Sequence, residues 1–385
     1  MNKIVASKRK KTKKVKLEKF LKKNMNWIIL LIMILFLSLV TDSFLTARNL
    51  SNLIRQSTIV GIIAIGMTGV ILLGGVDLSV GSVVGLAAIT VTLLMEKGLN
   101  EWLAIILTLI IVGGVVGYWN GYWISKYKME PFIVTLGMMT IARGLALTIS
   151  NNSSIPVKNT NFTKIAGSYI SIKWSIILLS LCLLYILIEA IYYAVKKREV
   201  FKNKSYIKNT LLKIFGIVLL FLIFIMYKGI PNPVAIFSII IIISIFILNN
   251  TKFGRDIYAA GGNREAARLS GIDIDKVHMR VFIITSVLAA FSGIILASRL
   301  NGASPNLGNM MELDAITAVA IGGTSLSGGV GGTFGTLLGI FIISILNNGM
   351  SLLGLPESYQ LIIKGLIITM AVWGDIVSKN KKFHR

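Results

Sequence analysis

The chain has 385 residues, 55% hydrophobic and 15% charged, with a mean hydropathy of +0.78. Runs of roughly 20 apolar residues, each long enough to cross a bilayer, recur from Trp27 to Trp373 and define an integral membrane protein. The unbroken runs exclude a barrel, whose strands alternate over about ten residues. The single cysteine, Cys182, excludes a disulfide framework or a cysteine metal centre and reads as a small packing residue. The two histidines, His278 and His384, are far apart and form no metal site.

Residues 1–26 carry eleven Lys/Arg and one acid, Glu18, and read as a basic cytoplasmic arm. No signal-peptide cleavage pattern follows. Apolar segments then occupy 27–45, 57–74, 78–96, 102–124, 131–150, 174–195, 211–228, 231–249, 280–300, 312–329, 332–354 and 359–377. The expected fold is an all-α polytopic membrane protein of 10–12 transmembrane helices, with a permease domain over 27–378, a cytoplasmic loop at 250–280 and a basic tail at 379–385. Both termini are expected in the cytoplasm, with the protein in the cell (inner or cytoplasmic) membrane. The Gly-rich pieces near 74–82 and 322–332 are candidates for broken or re-entrant helices.

The net charge of +24, from 40 Lys/Arg against 16 Asp/Glu, raises the question of nucleic acid. With the N-terminus inside, 29 of those 40 cations fall in inner segments and eight in outer ones, so the positive-inside rule accounts for the excess. No nucleic-acid partner is needed.

Gly74-Gly75-Val76-Asp77-Leu78-Ser79-Val80-Gly81 echoes Gly322-Gly323-Thr324-Ser325-Leu326-Ser327-Gly328-Gly329. Each follows an inward segment and precedes an outward one, so the copies are expected to run parallel. A carboxylate beside hydrocarbon needs water, a cation or backbone donors. Asp77, with Ser79 beside it, therefore either caps the next helix or faces a solute path. Arg143 lies well inside a span and needs a partner, for which Asp77 and Asp314 are the candidates. Asn120, Thr135, Asn347 and Asn348, with Gln360 and Trp373, either bind a polyol or bridge helices.

The longest polar stretch after the arm is 250–280, where Arg264 to Leu269 reads as a short helix after a Gly261-Gly262-Asn263 turn. No Gly-x-x-x-x-Gly-Lys-Ser/Thr loop occurs, so no nucleotide-hydrolysing site is expected in this chain.

Gly261-Gly262-Asn263-Arg264-Glu265-Ala266-Ala267-Arg268-Leu269-Ser270-Gly271 resembles the Glu-Ala-Ala loop of bacterial monosaccharide ABC importer permeases. The likeness extends through Leu45-Thr46-Ala47-Arg48-Asn49-Leu50-Ser51-Asn52, Asp77-Leu78-Ser79-Val80-Gly81-Ser82, Pro131-Phe132-Ile133-Val134-Thr135-Leu136 and Glu312-Leu313-Asp314-Ala315-Ile316. Within the ribose, galactose and xylose group it is nearest the xylose type, which shares an insert around 175–230 and Gly229-Ile230-Pro231-Asn232-Pro233-Val234.

The resemblance implies a type II ABC importer permease. The implied assembly is a homodimer of permeases, a sugar ATPase with tandem domains and an extracytoplasmic sugar-binding protein. ATP and Mg bind the ATPase; this chain is non-catalytic and carries no cofactor. It implies that Gly262, Arg264, Glu265, Ala266, Ala267, Arg268 and Gly271 contact the ATPase, with Ala266 and Ala267 permitting close approach. Outer cations Arg48, Arg55, Arg299, Lys158 and Lys164 are candidates for docking the binding protein. Asp77, Ser79, Asn120, Thr135, Arg143, Asp314, Asn347 and Asn348 are candidates for the translocation path. Alternatives are another monosaccharide, branched-chain amino acids or nucleosides, or an ion-coupled secondary carrier, which would need paired intramembrane carboxylates.

Overall fold

The computed structural model describes residues 25–196 and 204–383. Nearly all of the basic arm and residues 197–203 and 384–385 lie outside the described residues. Helix α1 covers Met25–Val40, and the Asn26 amide donates to the Ile321 carbonyl (2.6 Å). Next come α2 (Ala47–Leu72), whose first turn is capped by the Thr46 hydroxyl, and α3 (Val80–Glu96). Helix α4 (Glu101–Lys126) contains a π-helical stretch at Leu109–Gly114, and α5 (Pro131–Ile149) opens on a proline whose missing N–H costs nothing at a helix start.

Short α6 (Thr160–Gly167) precedes two peripheral helices, α7 (Ile172–Lys196) and α8 (Lys204–Ile225), joined by a Lys213–Glu189 ion pair. Helix α9 (Asn232–Asn250) leads into two short polar helices, α10 (Lys252–Gly262) and α11 (Arg264–Leu269). The chain closes with α12 (Ile274–Leu300), α13 (Met311–Ile321), α14 (Thr333–Leu352) and α15 (Glu357–Phe383). The strands are two-residue pairs: β1 (Ile155–Pro156) with β4 (Gly302–Ala303), and β2 (Tyr169–Ile170) with β3 (Ile230–Pro231).

Among the described residues seven helices are long and apolar enough to cross a membrane, and three shorter apolar ones, Met25–Val40, Val80–Glu96 and Lys213–Ile225, accompany them. The chain is therefore a multi-pass α-helical membrane protein. Two expected crossings are corrected, 78–96, whose helix α3 starts part-way along α12, and 312–329. Segment 312–329 is not a continuous span, because α13 has only 11 residues. That is roughly 16 Å at 1.5 Å per residue, about half of the ~30 Å hydrocarbon core. Cys182 is also corrected: it is exposed on the outer face of α7 and packs no core.

Helices α2 and α12 form the interior, each 72% buried over its apolar window against 17% for α7 and α9. Their closeness comes from glycine. Gly66 and Gly69 of α2 lie on Thr285 and Val281, and Gly113, Gly117 and Gly121 of α4 lie on Val287, Ile283 and Met279. Small residues one turn apart make a flat stripe on which a second backbone can rest, which is how membrane helices gain van der Waals contact without hydrophobic drive.

These contacts also give depth along α12. Met279 and Val281, near its start, meet the inner ends of α4 and α2; the Ser292 hydroxyl donates to the Ile59 carbonyl (2.8 Å). Gly293, beyond the midpoint, lies on Val84. Helix α3 starts one turn before Val84, so it begins near mid-membrane and rises to the outer end. Residues 73–79 climb to that point from the inner end of α2 without helical structure. The mirror arrangement follows α12. Residues 301–310 descend from the outer β1–β4 pair until Leu307 and Gly308 reach Gly85 and Gly81, and α13 then runs on to the inner end. The second break thus lies at 301–310, ahead of the Gly322 stretch. That stretch is a turn at the inner end, beside the inner end of α2: Gly329 N–H donates to the Leu72 carbonyl (2.9 Å).

Candidate translocation site and coupling surface

Two half-helices begin face to face in the interior. At the start of α3, Asp77 Oδ1 accepts from the Ser79 backbone N–H (2.9 Å) and from the Ser79 hydroxyl (2.6 Å). Asn120 Nδ2 of α4 donates to the same hydroxyl oxygen (3.1 Å). All three residues are fully buried. Asp77 therefore does not cap α3. It closes a turn onto Ser79, the N-cap residue, whose own side chain makes no capping bond. Asp77 Oδ2 and Asn120 Oδ1 are left as buried acceptors without a protein partner. Thr135 braces the climbing strand by accepting from the Leu78 N–H (3.1 Å) while donating to the Pro131 carbonyl (2.8 Å).

Helix α13 starts at Met310 in the left-handed region, with Glu312 and Asp314 in its first turn. Carboxylates there complement the positive end of the helix dipole. Glu312 abuts Gly81, where a Cβ would overlap its carboxylate and the Gly308 carbonyl. Glycine is required because the two helix starts meet at this point.

Arg143 pairs with neither expected carboxylate. Its Nη1 donates to the carbonyls of Pro305 and Leu307 in the descending segment, and Glu312 is the acid whose charge it feels. Asp314 is held elsewhere, by Lys364 Nζ of α15 (3.0 Å) and Asn347 Nδ2 of α14 (3.1 Å). Asn348 exchanges two hydrogen bonds with Asn49 (3.0 and 2.9 Å), a bridge between α14 and α2. Gln360 donates to the Leu355 carbonyl and Trp373 is exposed, so neither joins the site.

Sequence reading singled out neither Glu312 nor Lys364. Glu312 carries a signal, a second acid two positions before Asp314. Lys364 needs the fold to find Asp314.

At the inner end, three short-range caps shape the polar segment. The Thr251 hydroxyl takes the Gly254 N–H (3.1 Å), Asn263 Oδ1 takes the Ala266 N–H (3.0 Å), and Asp273 Oδ1 takes the Lys276 N–H (3.1 Å). Lys276 also holds the Asp273 carboxyl below the ordinary carboxylate range, through hydrogen bonds more than charge. Gly271, at φ +81°, makes the turn out of α11. The short helix spans the residues that sequence assigned to it. Arg264, Glu265, Ala266 and Arg268 are exposed, as are Gly262 and Gly271, and Leu269 is 81% exposed. Ala267 departs from expectation: it is buried against Ala260 and Ile274, so it seats the helix on the protein and does not face outward.

This hairpin is bound to the translocation elements. Gly261 packs against the Leu72 carbonyl and the Gly329 backbone nitrogen, and the Tyr258 hydroxyl donates to the Gly331 carbonyl (2.9 Å). Lys128, in the α4–α5 turn, pairs with Asp275 at the start of α12.

Of the outer cations, Arg48, Lys158 and Lys164 are exposed. Arg55 and Arg299 are half-buried near each other, with Arg55 Nη1 donating to the Tyr169 hydroxyl (3.1 Å). Among the described residues no group of three or more His, Cys, Asp or Glu converges as a metal site.

Long apolar helices packed around two interrupted ones define a multi-pass membrane transport protein. Residues 49–372 match the family described as branched-chain amino acid transport system / permease component, and the chain belongs to that family. It is 38% identical over 361 residues to the xylose transport system permease protein XylH of Escherichia coli strain K12, covering 92% of this chain and 91% of that one. Identity to the XylH of Haemophilus influenzae is 39% over 355 residues, with 90% and 94% covered. The ribose import permease protein RbsC of Bacillus subtilis is 37% identical over 346 residues, 90% of each chain. No solved structure matches.

Proposed function

We propose that this chain is the translocating, non-catalytic subunit of an ATP-driven importer of a monosaccharide, with xylose the first candidate. Two copies would form the pathway, a separate tandem-domain ATPase would hold ATP and Mg, and an extracytoplasmic binding protein would deliver the sugar, Arg48 offering it one exposed charge. The observation that carries this reading is the Leu72 carbonyl. It touches Gly261 of the exposed hairpin and accepts from Gly329, so a push on α10–α11 reaches the inner ends of both interrupted elements together. The interior between them suits a neutral polyol. Glu312 sits beside Arg143 and Asp314 beside Lys364, leaving the unpaired Asp77 oxygen with hydroxyls, amides and backbone groups to accept from and donate to a solute's hydroxyls.

The XylH relatives favour xylose, and the RbsC relative keeps ribose as the second reading. The test is uptake of labelled xylose, ribose, galactose and leucine into vesicles carrying this chain with its ATPase and binding protein. ATP-dependent xylose accumulation is expected. Accumulation driven by an ion gradient without ATP refutes the importer and returns the secondary carrier.

A further inference from the structure

The outer end holds a cluster of cations with which, among the described residues, no carboxylate pairs within 4.0 Å. Arg55 of α2 and Arg299 of α12 are near enough for their charges to act on each other, and both are half-buried. Tyr169 of β2 is the post beside which Arg55 and the exposed Lys228 sit, with Arg299 close enough to feel the charge of Arg55. Its hydroxyl accepts from Arg55 Nη1 (3.1 Å), its ring lies 5.8 Å from the Arg55 guanidinium carbon, and Lys228 Nζ lies 5.9 Å from the same ring. Lys228 also sits 5.6 Å from the ring of Tyr227, which meets Tyr169 edge to face. Among the described residues none of the three cations has an ion-pair partner within 4.0 Å. Arg55 Nε is a buried donor with no acceptor.

Elsewhere this protein supplies acceptors for its embedded cations: Arg143 has two carbonyls and Lys364 has Asp314. Three like charges around two rings, with one donor buried and unmet, lack a multivalent anion. The cluster lies beside the packing of α2 on α8, since Ile54 and Ile170, the chain neighbours of Arg55 and Tyr169, belong to it. Leu50 and Ile54 of α2 meet Leu220, Phe221 and Phe224 of α8 below it, and Trp174 of α7 and Met226 after α8 are exposed. A ligand reaching the cations from this side needs acyl chains to cover that wall.

We infer that Arg55, Arg299 and Lys228 bind the phosphate of an anionic phospholipid of the outer leaflet, with Tyr169 and Tyr227 flanking the headgroup. The lipid fixes the α7–α8 pair, whose helices pack mainly on each other, to α2 and α12. A protein carboxylate is disfavoured because Arg299 sits within the helix packing, whereas Arg48 already offers a freely exposed charge.

Native mass spectrometry of the purified full chain tests this, titrating phosphatidylglycerol and phosphatidylcholine and adding inorganic phosphate as competitor. One tightly held phosphatidylglycerol per chain is expected, and Arg55→Gln with Arg299→Gln should weaken it at least tenfold. Arg299→Lys, which keeps the charge, should retain it, as should Arg48→Gln, and so separate charge loss from misfolding. Equal retention of phosphatidylcholine, displacement by millimolar phosphate, or wild-type lipid binding by the double variant overturns the inference. So does a double variant whose only defect is binding-protein affinity.

Discussion

Gly261 and Leu72 touch so closely that a β-carbon on the first would overlap the carbonyl oxygen of the second. That carbonyl also accepts the Gly329 N–H, so one oxygen joins the exposed hairpin to two transmembrane elements. Gly261→Ala must displace backbone, since no flexible side chain is there to yield. Overpacking of this kind costs about 1–3 kcal/mol. The variant should insert, melt several degrees lower in detergent and lose most ATP-driven uptake.

Its neighbour behaves oppositely. Gly262 has open space where a side chain would grow, and it ends α10 without positive φ. Gly262→Ala should leave the melting temperature unchanged, because alanine is the better helix former. If an ATPase closes on this surface, the same methyl group lowers ATPase stimulation in reconstituted vesicles. A variant with normal stimulation would show that the partner contacts only Arg264, Glu265, Ala266, Arg268 and Leu269.

Asp314 and Lys364 connect half-helix α13 to α15 inside the membrane, at 3.0 Å and with side chains 9% and 19% exposed. Removing one partner strands a buried charge, at a cost of about 3–5 kcal/mol. Asp314→Asn and Lys364→Met should each lower the denaturation midpoint markedly. The double variant should recover part of the loss, because with both charges gone neither is left buried without its partner. Additive losses in this double-mutant cycle would show that the two side chains act independently.

Much of this was legible before the fold was known, for identifiable reasons. The short helix Arg264–Leu269 is announced by an N-cap asparagine and by charges that lipid rejects, both local signals. Arg143 was recognisable as needing a partner, yet its partners are carbonyls of Pro305 and Leu307, and backbone groups carry no signature in composition. The break at 301–310 was missed because Gly302 and Gly308 are sparse beside the glycines of 322–335, which attracted the assignment. The stripe Gly113, Gly117, Gly121 drew no reading from the sequence, and only the contact with α12 gives it meaning. Ala267 reads outward with Ala266 from the sequence, although at 3.6 residues per turn one residue of a short exposed helix must face the protein, and here it is Ala267 on Ala260 and Ile274.

Glu265 is exposed in the first turn of α11, beside Arg264 and one turn from no core residue it could stabilise. Glu265→Lys reverses a charge that the dipole of the helix start favours, a surface effect of about 0.3–1 kcal/mol. Insertion and melting should therefore change little. Uptake and ATPase stimulation should nevertheless be abolished, since the lysine opposes any cation that receives Glu265 on the partner. Normal sugar uptake by this variant would remove the hairpin from the coupling role.

Asp77 separates holding from handling. Its Oδ1 fixes the turn onto Ser79, while Oδ2 is buried and unpartnered. Asp77→Asn keeps an oxygen for the turn and replaces the free acceptor by a donor, so the fold should survive. Asp77→Ala removes the turn acceptor as well and leaves buried donors of Ser79 unmet, at a cost of about 1–3 kcal/mol. If Oδ2 meets the solute on its way past the start of α3, Asp77→Asn lowers flux at unchanged ATPase affinity and unchanged melting temperature. Flux equal to wild type would reduce Asp77 to a brace for Ser79, and the path would then run along the Glu312 side of the two helix starts.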